Sequence, residues 1–290
     1  MSTRSTRAAA ALVAVLLVVL LGGCVSRTNP SAPGTHYYVS AVGSDTNSGT
    51  SPDSPWQSLQ KINDTAFSPG DTISFRKGDE WIGTVLLDES GTASSAIMLN
   101  SYGSGNLPTI TSGEGGNCFR LNGSYLEVDG LRATNCGYAG FNVYGDHVVV
   151  RNSEASDNTA GIKVGTGSDF GNYSNNVLTN NNVMNVNTPG TKCGTPEAAN
   201  CTDDSGAFGV LINGNDNEFA GNTVTGSSAF SYDFSRDGSA FEIYNGSRNN
   251  IHNNKAIDNN VFSEIGRSDG AADGNVFRYN LVRASCGAEC

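Results

Sequence analysis

Basic residues are scarce in this chain. Lys and Arg number 17 against 28 Asp and Glu, a formal charge of −11 over 290 residues. Phosphate backbones are held by basic patches, so this balance excludes nucleic acid as a partner. It also repels a polyanionic glycan unless a bound cation bridges the charges. Histidine is scarcer still: His36, His147 and His252 are scattered, with no carboxylate, Ser or Cys at a telling spacing. No Cys-x2-Cys pair occurs, which leaves a structural zinc site without ligands. Long apolar runs are absent apart from residues 8–21, and that run falls short of the roughly 20 residues a membrane span needs.

That single run has the marks of a targeting segment. Arg4 and Arg7 precede it, and it ends in Leu21-Gly22-Gly23-Cys24. This ending resembles a bacterial lipobox, which implies removal of residues 1–23 as a signal peptide and a lipid on Cys24. The mature chain is then expected outside the cell, held to the membrane by its acyl chains, with residues 24–35 as a flexible tether. Removing residues 1–23 takes two Arg and leaves 15 basic against 28 acidic residues, or −13. Six Cys remain, an even number that predicts disulfides in an oxidising compartment. Neighbours in sequence are expected to pair: Cys118 with Cys136 between adjacent coils, Cys193 with Cys201 across a Pro/Gly-rich loop, and Cys286 with Cys290 at the end.

What the chain does have is a repeat. Residues 208–222 and 240–254 are two copies of one coil, offset by 32 residues. Each has a short apolar strand, an Asn-Gly turn (Asn213-Gly214, Asn245-Gly246), four polar residues, one apolar residue (Phe219, Ile251) and a corner Asn (Asn222, Asn254). Short-strand repeats of this period build stacked solenoids. Parallel stacking sets successive coils about 4.8 Å apart, so equivalent positions form columns. The expected fold is all-β: a right-handed parallel β-helix over residues 36–290, with about seven to nine coils and an N-terminal capping helix.

The cap is read from residues 36–75. A first strand covers residues 37–40, and a helix is expected to start with Ser54 as N-cap, Pro55 at the first position and Gln57 three residues on. Leu59, Ile62 and Ala66 share one face of it, and Ser68-Pro69-Gly70 stops it. Such a helix would cover strand edges that otherwise invite other chains. The run Tyr37-Tyr38-Val39-Ser40, Gly43-Ser44-Asp45, Pro55-Trp56, Pro69-Gly70-Asp71-Thr72-Ile73, Lys77-Gly78-Asp79 and Tyr102-Gly103-Ser104-Gly105 resembles the opening of secreted β-helix proteins of the pectate-lyase-like superfamily. The resemblance implies fold and compartment. Its motifs are cap and turn residues, so it implies no particular activity.

Further along, residues 126–131, 140–143, 161–164, 209–212 and 241–244 are candidate strands of one face. Asn152, Asn176, Asn222, Asn254 and Asn280 each precede the next apolar stretch, and a shared corner would let their amides form an internal ladder. Insertions at residues 188–205 and 225–239 interrupt consecutive repeats on one side. Long loops placed together above a rigid scaffold are where sites are built. No closing helix follows the last coil. Either the Cys286 and Cys290 link blunts that edge, or the chain is one part of something longer.

The chemistry is expected below those loops. Glu242 and Glu264 lie one coil apart, which would stack two carboxylates about 5 Å from each other. Such a pair shares a proton, binds a cation or is offset by an Arg. Retaining glycosidases use a pair at this separation. Repeat alignment puts Glu242 in the column of Val210, which points inward. The parity of Phe241 and Ile243 points it outward instead, and that reading avoids an unpaired buried charge. It requires a register shift at the 225–239 insertion. Asp237 and the pair Asp203-Asp204 precede equivalent strands, so they join the candidate cluster with Arg236 and Arg267. Calcium is the one candidate cofactor, since hard oxygen ligands suit it, though no EF-hand loop supports it.

Lys163 projects from a strand face and is the candidate base for the elimination that lyases of this fold perform. Tyr232, with Phe230 and Phe234, offers rings to stack on sugars. The reading is an extracellular, monomeric, polysaccharide-degrading enzyme using Glu242 and Glu264 with Asp237 and Asp204, with Arg236, Arg267, Tyr232 and Lys163 on the substrate. A lyase acting on a uronic-acid glycan, with or without calcium, is the first alternative. A non-catalytic glycan-binding or structural surface protein is the second, since a solenoid needs no activity to be stable.

Overall fold

The computed structural model describes residues 34–113, 116–189, 203–268 and 270–284. The expected signal segment, Cys24, nearly all of the expected tether, Cys193, Cys201, Cys286 and Cys290 lie outside the described residues. Within them the chain is a parallel β-helix. Three parallel sheets of nine, seven and eight strands run along the solenoid, and each full coil between the two ends contributes a strand to each sheet in turn. The nine-stranded sheet starts at His36–Val39, the eight-stranded one at Glu80–Ile82 and the seven-stranded one at Val85–Leu87. We call the last the cleft sheet, after the groove on its outer face.

The core follows from alternation. Every second residue of each short strand points inward and meets its counterpart from the next coil. On the cleft sheet, Phe119, Phe141, Ile162, Val210 and Phe241 form one inward column, all fully buried. Phe119 stacks on Phe141 at 4.8 Å between ring centroids, and Tyr173 on Phe219 at 4.9 Å in the nine-stranded sheet. Each such side chain contributes roughly 1.5–3 kcal/mol by leaving water. The Cys118–Cys136 disulfide is formed, with 5.5 Å between Cα atoms.

The corners are built from amides. Asn176, Asn222, Asn254 and Asn280 form the expected ladder, each Nδ2 donating to the next Oδ1 at 3.0 Å. Asn152 does not belong to it. It sits at φ 50°, donates to Asp129, and leaves the corner to Ser153, whose N–H donates to Asn176 Oδ1. A second ladder of Asn217, Asn249 and Asn275 lines another corner.

Three further expectations need correction. The helix is a single turn, Leu59–Asn63, with Ser58 as its N-cap accepting from the Lys61 N–H. Residues Pro55 and Trp56 stay extended because Trp56 N–H donates to Tyr38 O and Ser40 N–H to Trp56 O. Ala66 is exposed beyond the helix end. Second, Leu126–Asp129 belongs to the nine-stranded sheet rather than the face of the other four strands. Third, His252 has a carboxylate partner after all: its Nε2 lies 2.8 Å from Glu218 Oε1, one coil back.

Candidate active site

The cleft sheet presents its outward positions as columns. One runs Arg120, Asn142, Lys163, Leu211, Glu242, Glu264 through successive coils. Glu242 therefore pairs with Glu264 and with Leu211, not with Val210. The strand Phe208–Ile212 is offset by 31 residues from its successor, as in the bond from Asn213 Nδ2 to Tyr244 O, while the following corner is offset by 32. The extra residue is Asn245, which takes φ 64° at the end of the strand. In the two Asn-Gly pairs that look equivalent in sequence the glycines stay in step, Gly246 against Gly214, while Asn213 faces Tyr244 in place of Asn245, and the shift leaves Glu242 outward between buried Phe241 and Ile243.

The 225–239 insertion folds into a hairpin, with Ala229–Ser231 antiparallel to Ser235–Asp237. It stands over the cleft sheet beside the short antiparallel pair Met184–Val186 and Ser205–Gly206. Asn187 clamps the two, donating to Phe230 O at 2.8 Å and accepting from the Tyr232 N–H at 3.1 Å. Between hairpin and sheet lies a cleft of ≈ 770 Å³. Glu242, Glu264, Asp237, Asp204, Arg236 and Arg267 all line it. Asp203 and Phe234 line it as well, whereas Tyr232, Phe230 and Lys163 do not. Tyr232 packs edge-on against Phe230 at 4.9 Å, and Lys163 lies over Tyr138, two coils from Glu242.

The carboxylates differ in their surroundings. Glu242 is half-buried, and burial with the neighbouring charge of Glu264 pushes its carboxyl up to about 8, against a hydrogen bond from Ser239 Oγ at 3.0 Å. Asp237 is pushed up to about 6 by burial and the charge of Glu264, although its carboxylate accepts from the Gly238 N–H. Glu264 stands exposed at the mouth. Asp204 has another task. Its carboxylate is 4% exposed and accepts from Thr188 N–H, Ser231 Oγ and Asp233 N–H at 2.9–3.1 Å, tying the hairpin to the neighbouring loop. Burial raises its pKa, but those bonds outweigh it and hold the group below the usual range. Asp204 is thus a strut, its buried carboxylate taken up by backbone and hydroxyl donors of the hairpin and the neighbouring loop.

Sequence reading passed over the rings of the cleft. Tyr138, Phe208 and Tyr244 line it together with Phe234. Tyr244 shares the outward parity of Glu242, and it pairs with Gly266, where any side chain would strike its ring. An aromatic at i+2 from an outward carboxylate, opposite a Gly one coil on, was the available signal. Among the described residues no group of three or more His, Cys, Asp or Glu is arranged to hold a metal ion.

Fold and cleft together define a parallel β-helix with an acidic, ring-lined groove on one sheet. No family model matches the chain. Over 85 residues it is 39% identical to the lacto-N-biosidase of Bifidobacterium longum subsp. longum, a stretch covering 28% of this chain and 5% of that protein. Similar solved structures include a GH136 lacto-N-biosidase from Eubacterium ramulus, with TM-score 0.55 and 16% identity over 86% of this chain and 56% of that one. Pectate lyase Pel9A gives 0.53 and 15% over 88% and 78%. XylC in complex with xylose gives 0.59 and 9% over 86% and 63%. At these identities the solved structures show a shared fold. The chain spans only a small part of the curated relative and little more than half of the lacto-N-biosidase structure.

Proposed function

We propose that the protein is an extracellular glycoside hydrolase acting in this cleft, with Glu242 as general acid and Glu264 as nucleophile. The observation that carries the reading is the register pairing of Glu242 with Glu264 under the hairpin. Adjacent coils set the two backbones about 4.8 Å apart on one face, a placement that suits the carboxyl separation of about 5–5.5 Å in retaining enzymes. The roles follow from burial. Glu242, pushed up to about 8, holds its proton at neutral pH and can deliver it to a leaving oxygen. Glu264, open to solvent, is the carboxylate that meets the anomeric carbon. Glu242, once deprotonated, then activates the water that releases the sugar. Tyr244 and Phe234 give flat apolar faces for sugar rings, and Arg236 and Arg267 donors for hydroxyls. The lacto-N-biosidase likeness in sequence and fold supports glycan chemistry.

Glu242→Gln and Glu264→Gln should each lower kcat by about 10³-fold or more on a glycan-panel substrate, with the anomeric configuration retained in product seen by NMR. Unchanged turnover in both variants would end the hydrolase reading. An unsaturated product would select elimination instead, and binding without release of sugar a non-catalytic role. Placement outside the cell, lipid-anchored at Cys24, is part of the proposal. It is supported by the Leu21-Gly22-Gly23-Cys24 sequence and the Cys118–Cys136 disulfide. Cys24→Ser should release the protein from the membrane fraction.

A further inference from the structure

The outward column that carries the glutamates changes sign along its length. Lys163 is two coils from Glu242, about 10 Å, and Arg120 two coils further. Leu211, 8% exposed, separates the cationic from the anionic part. In a chain so short of basic residues, neither Lys163 nor Arg120 has a carboxylate partner among the described residues. Rings hold them in place, and Arg120 Nε also donates to Asn122 Oδ1 at 3.2 Å. Lys163 Nζ is 5.1 Å from the Tyr138 centroid and 5.9 Å from Tyr144, and Arg120 Cζ is 5.6 Å from Tyr144. Tyr144, 42% exposed, lies against Gly165, where a Cβ would meet its Cδ1 at 3.1 Å. The same device sets Tyr244 against Gly266 beside the glutamates.

A buried amide lies beneath the patch. Asn142, between Arg120 and Lys163 in the column, is 2% exposed. Its Nδ2 donates to Asn117 Oδ1 at 3.1 Å and Tyr144 Oη at 3.4 Å, while its Oδ1 has no partner. A buried carbonyl oxygen left open is uncommon. Here it lies beneath two cations that have no carboxylate partner and beside an exposed ring. Tyr138 belongs both to this patch and to the wall of the cleft, so the two are continuous.

We infer that Arg120, Asn142, Lys163 and Tyr144 form a distal glycan subsite that takes one sugar carrying an oxyanion, a carboxylate or a sulfate. The inference rests on reading the cleft as a glycan site and names the substrate class it selects: an oligosaccharide with a single charged unit away from the scissile bond. The cations pair with the oxyanion, and Asn142, buried beneath them, braces Tyr144 through the contact of its Nδ2 with Tyr144 Oη at 3.4 Å. A polyanion would meet Glu242, Glu264 and Asp237 further on, so the charge must be local.

The test uses the Glu242→Gln protein, so that binding is read without cleavage. It is titrated on arrayed pairs: sialyllactose and lactose, glucuronosyl-xylotriose and xylotriose, 6-sulfo-N-acetyllactosamine and N-acetyllactosamine. At least one acidic member should bind about tenfold more tightly than its neutral partner at low salt, an excess that high salt removes. Adding Lys163→Met or Arg120→Met should erase most of that excess while leaving neutral binding and the melting temperature unchanged, and Lys163→Arg should keep it. Equal binding of both members in every pair, no binding of any probe, or an excess that survives Lys163→Met overturns the inference. Cleavage is scored separately on the unmodified protein. Loss of the hydrolase reading with the acidic preference intact, or the reverse, tells the two proposals apart.

Discussion

Asn222 and Glu242 stand in neighbouring coils, and both are stacked on like residues, yet the outcomes are opposite. Asn222 is buried and fully paired: its Nδ2 donates to Tyr173 O and Asn254 Oδ1, and its Oδ1 accepts from both nitrogens of Asn176. An amide is donor and acceptor at once, so a column of amides satisfies itself. A carboxylate is acceptor only. Stacked on Glu264 it has one hydrogen bond, from Ser239, and keeps a proton instead of a partner. One geometric device therefore makes a strut at the corner and, on the face, a carboxyl pair in which Glu242 keeps its proton.

Three measurements bear on that contrast. Asn222→Ala strands the Asn176 nitrogens and Tyr173 O, and should cost about 3 kcal/mol in urea unfolding. A cost below about 1 kcal/mol would mean that the ladder is ornament. For Glu242 the sign reverses. Its folded-state carboxyl sits near 8 against an ordinary 4.5, so the folded protein holds a proton that the unfolded chain has lost between those values. Stability contributed by this group is fully present below pH 4.5 and is lost as pH rises through 8. Glu242→Gln should flatten that slope and stabilise the protein at pH 8 by on the order of 2 kcal/mol, discounted for the water that reaches a half-buried group. The part due to Asp237, between 3.8 and about 6, should remain. The smallest effect is expected from Tyr244→Ala: KM for a cleaved oligosaccharide should rise about fivefold, the worth of one ring contact near 1 kcal/mol, with kcat within about twofold. A fall in kcat alone would place Tyr244 with the reacting atoms.

Much of this was legible in the residues. The corner Asn at 176, 222, 254 and 280 announced the stack, because only a fixed corner asks for an amide at each turn. Glu242 and Glu264 were legible as a pair because no insertion lies between them. Other candidates failed where side-chain contacts decide. Asp204 read as a partner of Asp237, but its donors come from residues 188, 231 and 233, across a loop and a hairpin. Lys163 read as a base, but Tyr138 and Tyr144 hold it two coils away. Glu218 and His252 showed no relation in sequence, since they stand in different columns, His252 opposite Ala220 and Glu218 opposite Asn250, and meet on the diagonal.

Period, alternation and corner chemistry are local properties repeated many times, so the chain order alone determined the solenoid, its inward columns and the neighbours of each coil. The exact register did not follow from them. It turns on one residue, Asn245, in a left-handed turn whose Asn-Gly sequence matches its counterpart a coil earlier. Only the folded backbone shows which of two like turns carries the extra residue, and in a strand of period two that single step separates a glutamate in the core from one in the cleft.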